Sequence, residues 1–230
     1  RTFFRKVSKN NTRTCFVLKY DIKKFFTNID HQILKQILSK CLFDSDILQL
    51  LGQVIDSFSS PKHIYAIADI CKRGLPLGNL TSQLLVNIYM NEFDQFMKKE
   101  LKIENYVRYT DDFIVVSENE NFLKELIPEI QNYLHRHLNL ELHPNKVTIG
   151  KYCRGIDFLG YVSFPHYRAL RKRTEKRMLR KLDEKIEMFK QGEIDEERLK
   201  QTLQSYLGVL SHATARRLSR DLNNRTWFRR

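Results

Sequence analysis

The tightest constraint on how this chain can fold is a change of period in its middle. Between two long stretches of helical spacing, residues 106–116 read YVRYTDDFIVV, two short β-favouring runs on either side of an acidic pair. Short alternating runs meeting in so few residues form a tight hairpin. A second apolar β-run, CFVLKYD at 15–21, ends in another carboxylate, Asp21, and reads as a buried strand.

Helical signals fill the spaces between. Asp30 is placed to cap a helix, with Ile29 and Leu34 at staple spacing and a stripe of Ile33, Leu34, Ile37, Leu38 and Leu42. A second helix is expected over 46–58. Pro61, Gly74, Pro76 and Gly78 mark 61–79 as a loop or hairpin, which leads into a long helix over 80–101. A helix over 120–138 and short strands over 140–149 and 155–163 follow the hairpin. From Arg171 the pattern is helical to the end, interrupted near Gly192 and between Gly208 and Ala213, and reads as a separate helical subdomain. The order strand, helices, hairpin, helix, strand is a split β-α-β unit, so the class is α+β, an antiparallel sheet backed by helices.

Composition narrows the partners. With 230 residues, 42% of them hydrophobic, the chain can build one large core or two small ones. No apolar run approaches the roughly 18 residues that cross a bilayer, and no leader pattern opens the sequence, so a membrane role is not expected. Cys15, Cys41, Cys71 and Cys153 stand singly, which fits a reducing, intracellular setting. The net charge of +13 is unevenly spread. Residues 1–40 carry 10 basic and 2 acidic side chains, residues 41–163 carry 12 and 16, and residues 164–230 carry 18 and 9. Basic ends around an acidic middle suggest a central site for cations and arms for a phosphate backbone.

The residues that can carry chemistry are Asp21, Asp111 and Asp112. An Asp pair in a turn is often turn chemistry alone. If the Asp21 strand pairs beside the hairpin, however, three carboxylates converge, an arrangement that is costly without a divalent cation. Hard carboxylate oxygens suit magnesium, and two ions so held support phosphoryl transfer. His135, His137, His143 and Cys153 match no usual zinc spacing and are read as structural or surface residues.

Four segments, KYDIKKFFTNIDH at 19–31, RGLPLGNLTSQ at 73–83, YTDD at 109–112 and FLGY at 158–161, together and in this order resemble reverse transcriptases. The resemblance is to the bacterial kind related to group II intron, retron and diversity-generating retroelement enzymes. It implies a right-hand polymerase, with residues 1–168 as palm with partial fingers and 169–230 as a helical thumb. By that resemblance Asp21 and Asp111 hold two magnesium ions, with Asp112 supporting. Phe26, five residues after Asp21, lies under the sugar of the incoming nucleotide and excludes a 2′-hydroxyl by bulk. Strand alternation would make one of Phe25 and Phe26 a core residue. Leu77, Gly78 and Gln83 fall at the nucleotide site, and Lys146 matches a lysine able to protonate the pyrophosphate leaving group. Phe158, Leu159, Gly160 and Tyr161 resemble the primer grip. In the basic run from 168 to 181, Arg171, Arg173 and Arg177 would track the template-primer backbone, with Tyr167, Tyr206 and Trp227 nearby.

Leu77 before Gly78 and the ending Ser82-Gln83 depart from the commoner form, which has Gln before the glycine and ends in Ser-Pro. The form seen here resembles diversity-generating retroelement enzymes. Only 20 residues precede Asp21, whereas the resemblance puts the triphosphate-binding Lys and Arg of the fingers upstream. Arg1, Arg5 and Lys6 are not assigned that role. The chain, opening at Arg1, is expected to belong to a longer protein and to be inactive alone. The expected function is RNA-directed DNA polymerisation in a bacterial or phage-encoded, cytoplasmic setting. An RNA template, a DNA or RNA primer and deoxynucleoside triphosphates are the expected partners, with an accessory RNA-binding protein as a further candidate. The rivals are an RNA-dependent RNA polymerase and a catalytically idle, maturase-like nucleic-acid-binding module.

Overall fold

The computed structural model describes residues 2–58 and 72–226. Of the segment expected as a loop, Pro61 and its neighbours lie outside the described residues, as do Arg1, Cys71 and Trp227. The chain gathers into two compact units, Cys15–Gly150, and Arg1–Thr14 with Lys151–Arg230. No described helix is long and apolar enough to cross a membrane.

In the first unit, β1 (Phe16–Asp21), β2 (Tyr106–Tyr109), β3 (Asp112–Ser117) and β4 (Thr148–Lys151) form a sheet in the order β2-β3-β1-β4. β1 and β3 are antiparallel, with Leu18 opposite Val115, Tyr20 opposite Phe113 and Asp21 opposite Asp112. Strand side chains alternate between faces. Leu18, Tyr20, Phe113 and Val115 therefore share one face, and all four join the main core. That face is covered by α3 (His31–Cys41), α5 (Leu80–Gln95) and α6 (Glu120–Leu138), which contribute Leu34, Val86, Tyr89, Phe93, Leu123 and Leu134. Asp21 and Asp112 fall on the opposite face.

Several expectations are refined. Phe25–Asn28 is a single helical turn, α2, rather than strand, because the chain bends at Lys24, whose φ is +46°. Strand alternation therefore does not apply to the two phenylalanines; Phe25 is buried and Phe26 half-buried. The second helix, α4, runs Ser45–Asp56, capped by Asp44. The long helix ends in a π turn, Phe96–Glu100, which buries Phe96 and Met97 and lays the Phe96 ring on Tyr133 at 3.9 Å. Residues 140–147 are not a strand. They touch the sheet through one bridge, Leu142 to Ile22, and then turn.

Residues 72–75 are clipped to the segment that follows β1. Gly74 N–H donates to Ile29 C=O and Leu75 N–H to Phe26 C=O, both at 2.8 Å. The buried His31 ring donates through Nε2 to Gly74 C=O at 2.7 Å. Asp30, 2% exposed, completes the clip. Its Oδ1 accepts from the amides of Gln32 and Ile33, capping α3, while Oδ2 accepts from the Asn139 side chain at 3.1 Å.

In the second unit, α1 (Thr2–Val7) places Phe4 against Tyr152, ring on ring at 4.3 Å. β5 (Ile156–Phe158), β6 (Tyr161–Ser163) and β7 (Arg168–Leu170) form a three-stranded sheet in that order. Three helices follow, α7 (Lys172–Lys190), α8 (Glu196–Ser211) and α9 (Arg216–Thr226), and their core is Met178, Leu182, Ile186, Leu199, Leu210 and Leu222. Gly208 lies inside α8, so the second interruption comes only after Ser211.

Asp30→Ala is expected to remove a helix cap and strand the Asn139 amide, costing about 2–4 kcal/mol in urea unfolding. Asp30→Asn keeps an acceptor and should cost less. Wild-type stability for Asp30→Ala would show that the clip contributes nothing.

Candidate active site

The site is built by strand register. Asp21 ends β1 and Asp112 begins β3, and pairing sets the two residues directly opposite each other on the open face of the sheet. Like charges so placed repel. Asp111 lies in the two-residue turn Thr110–Asp111 that joins β2 to β3. Burial, reinforced by the charges of Asp111 and Asp21, holds the Asp112 carboxyl above the usual carboxylate range despite the opposing pull of Lys19.

Lysines moderate the repulsion. Lys19, two residues before Asp21 on the same face of β1, approaches Asp112 at 3.8 Å. Lys146 reaches Asp21 Oδ2 at 2.9 Å, and this hydrogen bond holds its ammonium above the ordinary lysine value. Local pairing explains its arrival. His143 N–H donates to Asp21 C=O at 2.8 Å, and Lys146 N–H closes a turn onto His143 C=O at 3.0 Å. Pro144 occupies the second position of that turn, where its fixed φ is favoured.

The acidic pair is anchored from beneath. Arg108 on β2 has a side chain only 8% exposed and grips Asp94 of α5 through Nε at 2.9 Å and Nη2 at 2.6 Å. Tyr106 donates its hydroxyl to the same carboxylate at 2.8 Å, and burial followed by the Asp94 charge raises the phenol pKa, which keeps that proton in place.

The predicted residues divide between the two units. Asp21, Asp111, Asp112 and Lys146 come together. Phe26 belongs to the same unit and is tied by its carbonyl to Leu75, two residues before Leu77. Leu77, Gly78 and Gln83 are exposed at and just beyond that loop. Gly78 has φ of +96° and open space where a Cβ would stand, so the glycine answers to backbone conformation and not to crowding. In the second unit, Leu159 and Gly160, both with positive φ, form the turn between Phe158 on β5 and Tyr161 on β6. Arg171 precedes α7 and pairs with Asp157, at 2.9 Å from its Nε, whereas Arg173 and Arg177 project from α7 exposed. Tyr167 is exposed, but Tyr206 packs on the helical core.

Sequence reasoning missed Lys19, Asp94 and Arg108. Strand parity with Asp21 could have flagged Lys19. Nothing in the sequence links Asp94 to Arg108, 14 residues away on another element.

The donor chemistry of Asp21, Asp111 and Asp112 fits a hard divalent cation, which would relieve the raised proton affinity of Asp112. Among the described residues, no three His, Cys, Asp or Glu side chains are drawn together tightly enough to enclose one ion.

Known proteins resemble this chain in sequence and in fold. Protein YkfC of Escherichia coli (strain K12) is 26% identical over 71% of this chain and 49% of its own length. The putative COX1/OXI3 intron 2 protein of Saccharomyces cerevisiae is 21% identical over 66% of this chain and 24% of its own. The chain thus spans about half of one curated relative and a quarter of the other. Telomerase from Candida tropicalis in complex with the TWJ fragment of telomeric RNA shares the fold. Its TM-score is 0.54 and its identity 16%, over 71% of this chain and 31% of that one. An apo form truncated from its C-terminal domain gives 0.52 over 74% of this chain and 37% of its own. The profile of the family described as reverse transcriptase (RNA-dependent DNA polymerase) runs through residues 2–163, from α1 across both acidic strands to β6. A match over that much of the sequence, joined to a shared polymerase palm fold, establishes that the chain belongs to the reverse transcriptase family.

Proposed function

We propose that this chain supplies the catalytic palm of an RNA-directed DNA polymerase that adds deoxynucleotides to a primer 3′-hydroxyl, within a longer protein of a bacterial retroelement. The observation that carries the reading is the pairing of Asp21 with Asp112, with Asp111 in the adjoining turn and Lys146 on Asp21. In this reading residues 1–168 are palm with part of the fingers and 169–230 a helical thumb. Asp21 and Asp111 would hold two magnesium ions with Asp112 in support. When bound, such ions activate the attacking hydroxyl and stabilise the leaving oxygen.

The chain's own groups do the rest. Lys146 carries a proton on an ammonium already hydrogen-bonded inside the acidic cluster, where it can be passed to the pyrophosphate oxygen. Phe26 presents a rigid ring to the sugar, and the bond from Leu75 N–H to its carbonyl sets the Leu77–Gly78 turn beside it. The Leu159–Gly160 hairpin serves as primer grip. Arg173 and Arg177, one helical turn apart and exposed, meet the sugar-phosphate backbone of the duplex by charge and shape. Arg171, committed to Asp157, contributes mainly to structure. An RNA template, a primer and deoxynucleoside triphosphates are the partners, and an accessory RNA-binding protein is compatible with the basic ends.

In the full-length protein, Asp111→Asn should abolish primer extension and leave template-primer binding largely intact. Asp112→Asn, by removing a half-buried like charge, should raise the melting temperature of metal-free protein while lowering extension. Undiminished extension by Asp111→Asn would end the reading.

Phe26→Val should raise ribonucleotide use relative to deoxynucleotide use in single-nucleotide extension, with a packing loss of about 1–3 kcal/mol because the ring also touches the core. An unchanged ratio in folded variant would make Phe26 a packing residue only.

Replacing Arg173 and Arg177 with Ala should weaken duplex binding and reduce the slope of log affinity against log salt by up to about 2, one for each phosphate no longer neutralised. Arg171→Ala should instead lower stability and leave the slope nearly unchanged. A wild-type slope for the Arg173 and Arg177 double variant would return those side chains to a solvated face.

A further inference from the structure

Thr110 is the first residue of the two-residue turn that carries Asp111, and its φ is +53°. Asp111, the second, is not among the residues with positive φ. A hairpin with positive φ at its first central position alone is one that glycine ordinarily supplies. A β-branched residue there is a backbone outlier, and such outliers persist only when their surroundings over-determine them.

The surroundings that do so are on α5. Besides its two bonds to Asp94, Arg108 directs Nη1 to the Thr110 carbonyl at 3.0 Å and toward Asn87 Oδ1 at 3.4 Å. Asn87 and Asp94 are seven residues apart, two turns along the same face of a helix whose Met90 and Phe93 are fully buried. The Thr110 carbonyl belongs to the peptide that leads into Asp111, and fixing that peptide fixes the direction in which Asp111 leaves the turn. The Thr110 hydroxyl adds a contact to Asp111 Oδ1 at 2.9 Å. Only a planar guanidinium can grip a carboxylate through two nitrogens while offering a third donor direction to a carbonyl; a lysine ammonium offers a single charged point.

We propose that Arg108, seated on Asp94, is a positioning residue that holds the Thr110–Asp111 peptide in its strained conformation and so preorganises the Asp111 carboxylate. The proposal rests on the reading of Asp111 as a metal-holding carboxylate. Arg108 touches neither substrate nor metal in this scheme and acts through the turn.

The test is a cycle in the full-length protein, with Arg108→Lys made in the wild type and in a Thr110→Gly background. Three quantities are read: hydrogen exchange of turn amides 109–113 without metal, Mn2+ affinity of the folded protein, and kcat and KM for primer extension. Arg108→Lys should speed exchange in the turn, weaken Mn2+ binding and lower kcat by ~10²-fold with little change in KM, the scale expected of a misplaced reacting group. In the Thr110→Gly background, where the turn needs no clamp, the further loss on adding Arg108→Lys should shrink to under ~10-fold, a coupling that independent sites would not show. Equal losses in the two backgrounds, or Arg108→Lys with wild-type exchange and wild-type kcat, would overturn the proposal. If Arg108→Lys does not fold, Asp94→Asn takes its place in the same cycle with the same expectations, because it weakens the seat and leaves the guanidinium. Faster turn exchange, relieved by Thr110→Gly, in a protein whose wild type shows no metal-dependent extension would uphold the clamp and sink the polymerase reading instead.

Discussion

Everything at the candidate site depends on the antiparallel register between β1 and β3. With Tyr20 opposite Phe113 and Leu18 opposite Val115, the apolar face of both strands meets the helices, and Asp21 is left directly opposite Asp112. A slip of one residue would turn every side chain over, burying the carboxylates and exposing the rings. The same burial that stabilises the unit therefore fixes where the acids stand. The placement of the acids and the packing of the core are two consequences of one pairing.

That placement works against stability locally. Two carboxylates face each other across a strand pair with a third in the adjoining turn, and Asp112 carries the cost as a raised proton affinity, set first by its partial burial and then by the charges of Asp111 and Asp21. Lys19 and Lys146 meet part of it, one from the same strand and one from a turn pinned to the Asp21 carbonyl. Nearby, Asp30 accepts from two helix-cap amides and an asparagine side chain. A strained or repulsive site surrounded by rigid, hydrogen-bonded structure is the pattern expected where conformation is kept for chemistry.

The segment beginning at Lys72 is held just as closely. Three backbone hydrogen bonds and the His31 ring tie it to residues 26–31, so Phe26 and the Leu77–Gly78 turn are parts of one framework. Leu77 stands exposed just beyond the tied segment.

Much of this was legible in the sequence because it is written in local pattern. Period and caps located the strands at 16–21 and 106–117 and the helices at 31–41 and 120–138, and the acidic pair between two β-runs marked the hairpin. The motifs at Asp21, Gly78, Asp111 and Leu159 were legible as a set through their order. Tertiary structure decided what no local pattern encodes. Residues 140–147 form one bridge, closed by the His143 amide on the Asp21 carbonyl and the Lys23 amide on the Glu141 carbonyl, and pair no further because the chain turns at Pro144. Phe25 and Phe26 are divided between full and partial burial by a helical turn that follows Lys24, whose positive φ nothing in the sequence announces. The pairing of Arg108 with Asp94 joins a strand to a helix through a nearly buried guanidinium, and such a contact exists only once the hairpin has docked on α5. Sequence determined which elements form and which residue types could carry chemistry. Packing decided which of those residues meet, because side chains distant along the chain acquire a common address only when their elements bury a shared face.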